Sequence, residues 1–387
     1  MVTTGVLGQR WRATVTPWGA IEPWSGGEAV DWHVAATDRW HSPNSEPTVR
    51  QRRIEGTAVV ETRLRVPDGD VVHTVYSVAD HGGLTLIAVR NESPSPVVVA
   101  FTRGDLLTAR PPSSAIEGID LPAGSIALPV GHHAEILVGL SYPPRIGELP
   151  SPLPTAAGVA RGWTSILDRA SRFSVPDAGE IDSMAAVRCE LALCGPVLPD
   201  DDAVGFLLGV GQLVRMGEKA DDWVPDVADA AESVLRSEVG AGAVDWASFA
   251  ALDAAALVLA TAGERRAGAD LERGRAALTS VLPLPTSEPD DSIRRLEWFE
   301  RRFASGRMLM PAGMPDVWSG SSVECYGVPT GPASSVSFAI RWHGERPAVL
   351  WEQAGDPVTL TTPVLAPQWS SAARSGEALW PSPAELA

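Results

Sequence analysis

The hydrophobic pattern changes period twice along the chain, and no single architecture satisfies both periods. From Val6 to about Tyr142 apolar and polar residues alternate in short runs broken by turns, the pattern of half-buried strands. AVVETRLRV (58–66) alternates, PDGD (67–70) supplies a hairpin turn and VVHTVYSVA (71–79) answers it. LTLIAVR (84–90), VVVAFTR (97–103) and AEILVGLSY (134–142) continue the series. Strands at this spacing predict an antiparallel β-sandwich.

The character changes at PPRIGELPSPLPTAAG (143–158), where prolines favour extended backbone over helix. Beyond it apolar residues recur three and four apart, with acidic residues at the starts and glycines at the stops. Seven helices are expected, over 158–173, 178–195, 201–217, 223–239, 246–263, 264–282 and 290–306. After Gly306 the pattern reverts to period 2 in RMLMPAG, SVSFAIRWHG (335–344), PAVLWEQ (347–353) and VTLTTPVL (358–365), with GERP as a turn. The expectation is a multi-domain α and β chain: an N-terminal β-sandwich over 1–145, a helical domain over 146–306 and a C-terminal β domain over 307–387. No fixed-period repeat supports a propeller or a solenoid.

Charge narrows the partners. With 48 Asp and Glu against 31 Lys and Arg, the net charge of −17 repels phosphate backbones and anionic lipid, so neither nucleic acid nor a membrane is an expected partner. The N-terminus carries no basic, apolar leader and no 18-residue window is free of charge or turn residues, which predicts a soluble cytoplasmic protein. Cys189, Cys194 and Cys325 make no C-x-x-C pair, so neither a metal site nor a disulfide framework is expected. The adjacent pair His132 and His133 points to opposite faces of a strand and suits solvent better than a metal. Nucleotide and nucleophile-elbow motifs are missing; GFLLGVGQL (205–213) lies in an amphipathic helix, where its glycines permit close packing. No cofactor is expected.

One compositional feature bears on function. Fourteen tryptophans stand against three tyrosines and seven phenylalanines, five of them within the first forty residues. Most large aromatics bury their surface in a core. An indole face also stacks on the C–H face of a sugar while its N–H reaches a hydroxyl. Carboxylates near such indoles are candidates for glycoside hydrolysis, which sets one protonated and one ionised acid across the bond. Asp31 and Asp38 in DWHVAATDRW, Asp316 and Glu324 in PDVWSGSSVECYG, and Glu352 are of this kind. The loop 315–327 is the foremost candidate, with Asp316 and Glu324 as the catalytic pair, Glu324 raised in pKa by partial burial, and Trp318, Trp40 and Asp38 as substrate-binding residues. The competing reading of that loop is a β-hairpin with Glu324 in a surface ion pair. Trp342, on a strand between Arg341 and His343, is expected in the core.

RWHGERPAVLWE (341–352), VTLTTPVLAPQWSS (358–371) and GEALW (376–380) resemble the C-terminal β domain of glycoside hydrolases built on an (α/α)6 barrel. WGAIEPW, DWHVAATDRW and VRQRRIEGTAVVETRLRVPDGD resemble the N-terminal sandwich of such enzymes, and RGWTSILDRASRFSVPD (161–177) is similar to their linker and first barrel helix. The resemblance implies a truncated, toroid-like helical region between an N-terminal and a small C-terminal sandwich, and a carbohydrate ligand. Twelve barrel helices need on the order of 300 residues, and 155–306 supplies about half of that. Neither the acid nor the base of the family matches a position here. Three functions stay open: a hydrolase of small intracellular glycosides, a catalytically silent relative that binds carbohydrate or a protein, and a structural or assembly module without ligand. Oligomeric state is not legible.

Overall fold

The computed structural model describes residues 1–238, 243–278 and 280–382. The chain is multi-domain and mixes α and β structure, in two compact units, Met1–Thr164 and Ser165–Ala387. Val239 and Thr279, within two of the expected helices, lie outside the described residues, as do the last five positions of the expected C-terminal domain.

The first unit is built of three sheets. Seven strands pair in the spatial order Gly147–Glu148, Leu107–Thr108, Glu135–Ser141, Leu84–Asn91, Gly69–Val78, Val60–Val66 and Arg50–Arg53. Four more pair in the order Ile126–Val130, Val97–Phe101, Trp32–Ala35 and Trp40–His41, and three form the sheet Val2–Gly5, Arg12–Val15, Ile21–Pro23. The PDGD turn closes tightly, since Val66 pairs with Gly69 and leaves two residues in the loop. One buried cluster draws side chains from all three sheets, among them Val15, Ile21, Trp32, Val99, Phe101, Val75, Ile87 and Val89. Because side chains alternate along a strand, Tyr76, Leu86 and Ala88 go to the other face of the large sheet. There they meet Leu149 and Ala160, the latter from helix α1 (Ala156–Leu167). A sheet buried on both faces needs continuous apolar strands, which is why LTLIAV hardly alternates. Part of the proline-rich segment is therefore structured: Gly147–Glu148 pairs with Leu107–Thr108 and Leu149 is buried.

Among the described residues of the second unit six helices follow, α2 (Ala178–Cys194), α3 (Ala203–Met216), α4 (Val224–Glu238), α5 (Trp246–Thr261), α6 (Arg265–Ala276) and α7 (Ser292–Phe303). Four begin on an aspartate whose carboxylate accepts from first-turn amides: Asp177, Asp202, Asp245 and Asp291. Gly217 closes α3 in the left-handed region that glycine adopts without strain. The helix expected over 158–173 stops short. Arg172–Ser174 instead joins the edge of a five-stranded sheet by pairing with Val323–Gly331, Pro176 disfavours helix for the residue before it, and the Arg172 guanidinium lies 4.2 Å from the Tyr326 ring. That sheet continues with Ser334–His343, Arg346–Gly355 and Ser375–Leu379. A four-stranded sheet holds Ala304–Ser305, Met308–Leu309, Leu360–Thr362 and Ala366–Ser371. The turn expected as GERP is shorter, for His343 pairs with Arg346. Two cores result. One joins α7 to both sheets through Phe299, Phe303, Leu309, Phe338 and Trp351, and the other packs α3, α4, α5 and α6 together.

Tight approach explains one glycine of GFLLGVGQL. A Cβ on Gly211 would stand 2.8 Å from the Ala254 Cβ, so α3 and α5 touch at backbone distance. Gly211→Val should therefore force these helices apart and cost about 1–3 kcal/mol, as overpacking does. Urea unfolding that matched wild type would refute the contact.

His73 generates a prediction in pH. It is buried in the large sheet, stacked 4.5 Å from the Trp32 ring, and burial pushes its pKa down to about 3 from 6.5. The unfolded chain binds that proton more readily, so this contribution to stability is full above pH 6.5 and is lost as pH falls toward 3, by up to about 1.4 kcal/mol per pH unit. His33, also lowered by burial, adds in the same direction. Between pH 6.5 and 4 the unfolding free energy of wild type should fall more steeply than that of His73→Gln. Parallel pH profiles would remove His73 as the cause.

Candidate functional site

The most polar interior of the second unit starts from the sequence of α7, SIRRLEWFERRF. Leu296, Phe299 and Phe303 make its apolar stripe, and Glu300 falls on that stripe, one turn from both Leu296 and Phe303. The carboxylate is thereby carried inside, where the residue is 2% exposed. Arg188 is placed the same way, between Met184 and Leu191 on α2.

These residues meet. Glu300 Oε1 accepts from Arg188 Nη2 at 2.5 Å, Ser171 Oγ at 2.5 Å and Arg215 Nη2 at 3.0 Å. Its Oε2 accepts from Arg215 Nη1 at 2.6 Å and Gln212 Nε2 at 2.9 Å. The arginines also donate to main chain, Arg188 to Ser171 O at 2.8 Å and Arg215 to Ala170 O at 2.5 Å. Burial alone would push the Glu300 carboxyl up, but Arg215 and Arg188 beside it, with their hydrogen bonds, pull it down to about 2.

A second set lies along α7. Asp253 on α5 accepts from Arg275 of α6 through one oxygen and from Arg301 Nη2 at 2.7 Å through the other. Arg301 Nε donates to Glu297 Oε1 at 2.6 Å. Glu297 Oε2 has no partner among the described residues. Burial pushes the Glu297 carboxyl up, Arg301 opposes this, and the charge of Glu300 reinforces it. Two carboxylates one turn apart are thus driven in opposite directions, Glu297 upward and Glu300 downward.

Both sets open on one cavity of about 880 Å³. Its wall includes Arg215, Asp253, Arg275, Glu297, Glu300, Arg301 and Arg307, together with Trp246, Phe249 and the segment 281–284. Trp246 is half-buried and its indole N–H has no hydrogen-bond partner among the described residues, whereas Phe249 is capped by the Arg275 guanidinium at 4.9 Å. Among the described residues no group of three His, Cys, Asp or Glu side chains could hold a metal ion. No described helix is long and apolar enough to cross a membrane.

The residues singled out by sequence lie elsewhere in the chain. Asp316 is exposed at the start of a one-turn 3-10 helix, Asp316–Trp318. Trp318 is buried, its ring parallel to Phe303 at 6.0 Å with the Arg302 guanidinium 5.7 Å away, so its faces are occupied. Glu324 sits on the strand Val323–Gly331, where Tyr326 donates to it at 2.5 Å and Arg341 pairs with it. These partners hold its carboxyl below the usual range, the opposite of the rise expected from burial. In the first unit Trp40 donates to Glu117 O at 2.9 Å, and Asp38 shares a hydrogen bond with the His41 ring at 3.0 Å. None of these five borders the cavity. Trp342, expected in the core, is half-buried and donates to Ser321 O. The residues that do border it were missed, although charged residues on apolar helical stripes were visible in MAAVRCEL and LEWFERRF.

Glu300→Gln removes the anion between two buried guanidinium groups and should cost about 3–5 kcal/mol at pH 7. Since its carboxyl is lowered from 4.5 to about 2, this contribution is full above pH 4.5 and is lost as pH falls toward 2. The gap between wild type and variant in urea unfolding should therefore narrow at pH 3. Equal midpoints at pH 7 would show that the cluster holds nothing together.

Compared with known proteins, the chain matches no family model, and no curated protein matches it significantly.

Proposed function

We propose that the chain is a carbohydrate-binding protein whose second unit takes a small saccharide in the cavity walled by α3, α5 and α7. The observation that carries this reading is the lining itself: an indole whose N–H has no partner among the described residues, beside carboxylates and guanidinium groups, in a volume typical of small-molecule sites. Sugars are recognised by such a combination, an aromatic face for their C–H surface and planar charged groups for vicinal hydroxyls. The finer architecture that goes with this reading is an N-terminal β-sandwich over 1–145, a shortened toroid-like helical region over 146–306 and a small C-terminal sandwich over 307–387. It is the layout of the (α/α)6 glycoside hydrolases that both ends of the sequence resemble.

Binding without turnover is favoured over hydrolysis. Hydrolysis needs a carboxylate with a lone pair directed at the anomeric carbon or at a water. Both oxygens of Asp253 and both of Glu300 are committed to arginines. One observation speaks for the enzymatic reading, the opposed shifts of Glu297 and Glu300, since an acid kept protonated beside a fixed anion is how such sites divide their roles. In that reading Glu297 is the general acid.

Titration of the full chain with a panel of mono- and disaccharides, followed by tryptophan fluorescence and calorimetry, should give saturable binding. Trp246→Ala should weaken it about tenfold or more, in keeping with loss of an aromatic anchor, measured at a temperature where both proteins are folded because Trp246 also packs against the core. A panel without a single binder overturns the proposal. Release of reducing sugar that disappears in Glu297→Gln would replace it with the hydrolase.

A further inference from the structure

We infer that the ligand of this cavity carries an anionic group, a carboxylate or a phosphate on the sugar, and that Arg307 receives it; this rests on the saccharide reading above. The lining holds four guanidinium groups, Arg215, Arg275, Arg301 and Arg307, against three carboxylates, Asp253, Glu297 and Glu300. Three of the four arginines are spent on those carboxylates: Arg215 on Glu300, Arg275 on Asp253, and Arg301 on Asp253 and Glu297. Arg307 has no hydrogen-bond or ion-pair partner for its side chain among the described residues. A second donor, the Nε of Arg275, is buried without a partner among them.

The backbone beneath Arg307 is fixed although its guanidinium is not. Ser305 pairs with Met308, which leaves Gly306 and Arg307 as a two-residue turn, and Gly306 takes a φ of 55° that glycine accepts without strain. Thr361 N donates to Arg307 O at 2.9 Å, and Met310 N to Phe303 O at 2.8 Å, tying the turn to a neighbouring strand and to the end of α7. The guanidinium itself is exposed and unpaired among the described residues, a planar fork of donors at the cavity mouth that a planar or tetrahedral oxyanion can engage through two hydrogen bonds. Local charge also runs against the whole. The protein carries −17 overall, a field that turns anions away, so surplus positive charge confined to one cavity is what an anionic ligand requires.

The test compares three probe classes on the full chain at low and at physiological salt: neutral sugars such as glucose and maltose, the acidic sugars glucuronate and glucose-6-phosphate, and the sugar-free anions acetate and inorganic phosphate. Acidic sugars should bind about tenfold or more tighter than neutral ones, with the preference shrinking as salt is raised. Which of glucuronate and glucose-6-phosphate binds tighter identifies the anionic group. Arg307→Gln should collapse the gap between acidic and neutral sugars at unchanged melting temperature, and Arg307→Lys should keep part of it. Equal binding of neutral and acidic sugars overturns this inference and leaves the saccharide reading standing. Sugar-free anions that bind as well as their sugars, with neutral sugars silent, would keep the anion site and sink the saccharide. A gap undiminished in Arg307→Gln removes Arg307 from the site.

Discussion

A single buried carboxylate organises the second unit. Glu300 lies on α7, yet its five hydrogen bonds come from α2, α3 and the Ala170–Ser171 segment that leads into the edge strand of the five-stranded sheet. Burying a carboxylate alone is prohibitively costly, and burying two guanidinium groups face to face is worse. The cluster is tolerable only when all three charges and their secondary acceptors are in place. That makes it a register device: α2, α3 and α7 can pack only where Arg188, Arg215 and Glu300 meet, whereas apolar side chains of similar size tolerate small slips. The cavity wall inherits this fixity, because Arg215 and Glu300 belong to both.

The first unit is specified by other means. Its large sheet is apolar on both faces, one shared with the two smaller sheets and the other covered by Leu149, Ala160 and their neighbours. Among its buried polar groups, His73 marks a close fit. The Trp32 indole donates to Trp18 O and stacks on His73, and a Cβ on Gly19 would come within 2.9 Å of the Trp32 Nε1. An imidazole kept neutral by burial is compatible with this packing, while a protonated one is not. Both units thus contain a titratable group that their fold holds in one protonation state, neutral in the first and ionised in the second.

Much of the framework was legible because local signals agree with the tertiary outcome. Each of the seven expected helices has a counterpart among the described residues, and at Asp177, Asp202 and Gly217 the boundary falls within a residue or two, whereas the helix expected to reach Leu282 ends at Ala276 and the one expected to reach Gly306 ends at Phe303, where Ala304–Ser305 enters a strand. Where local pattern and context disagree, context wins: RASRFS continues a helical rhythm, but its aromatic and its partner strand draw it into a sheet. The strands before residue 58 are two to four residues long, too short for alternation to register. The candidate site was hidden for a different reason. Ser171 and Glu300 are 129 positions apart, and Arg188 and Glu300 are 112 apart, so no spacing motif joins them. Charges on apolar helical stripes were the available trace, since such a residue must find partners inside.

Tryptophan abundance has two origins in this molecule, and only one bears on ligands. Trp351, Trp369 and Trp380 meet edge to face at 5.2 and 5.5 Å, Trp318 lies parallel to Phe303, and Trp32 stacks on His73: in these the indole is packing material. An indole with both faces covered cannot also receive a sugar ring, and a carboxylate saturated by a tyrosine and an arginine, as Glu324 is, holds its charge for structure. Function must be sought where groups are built in but left incomplete. Among the described residues, Trp246 has an unused N–H, Glu297 one unpartnered oxygen and Arg307 an unpaired fork, and all three border the same cavity. Their charged neighbours are already paired, Glu300 with Arg188 and Arg215 and Asp253 with Arg275 and Arg301, so the groups left over face whatever enters the cavity from outside.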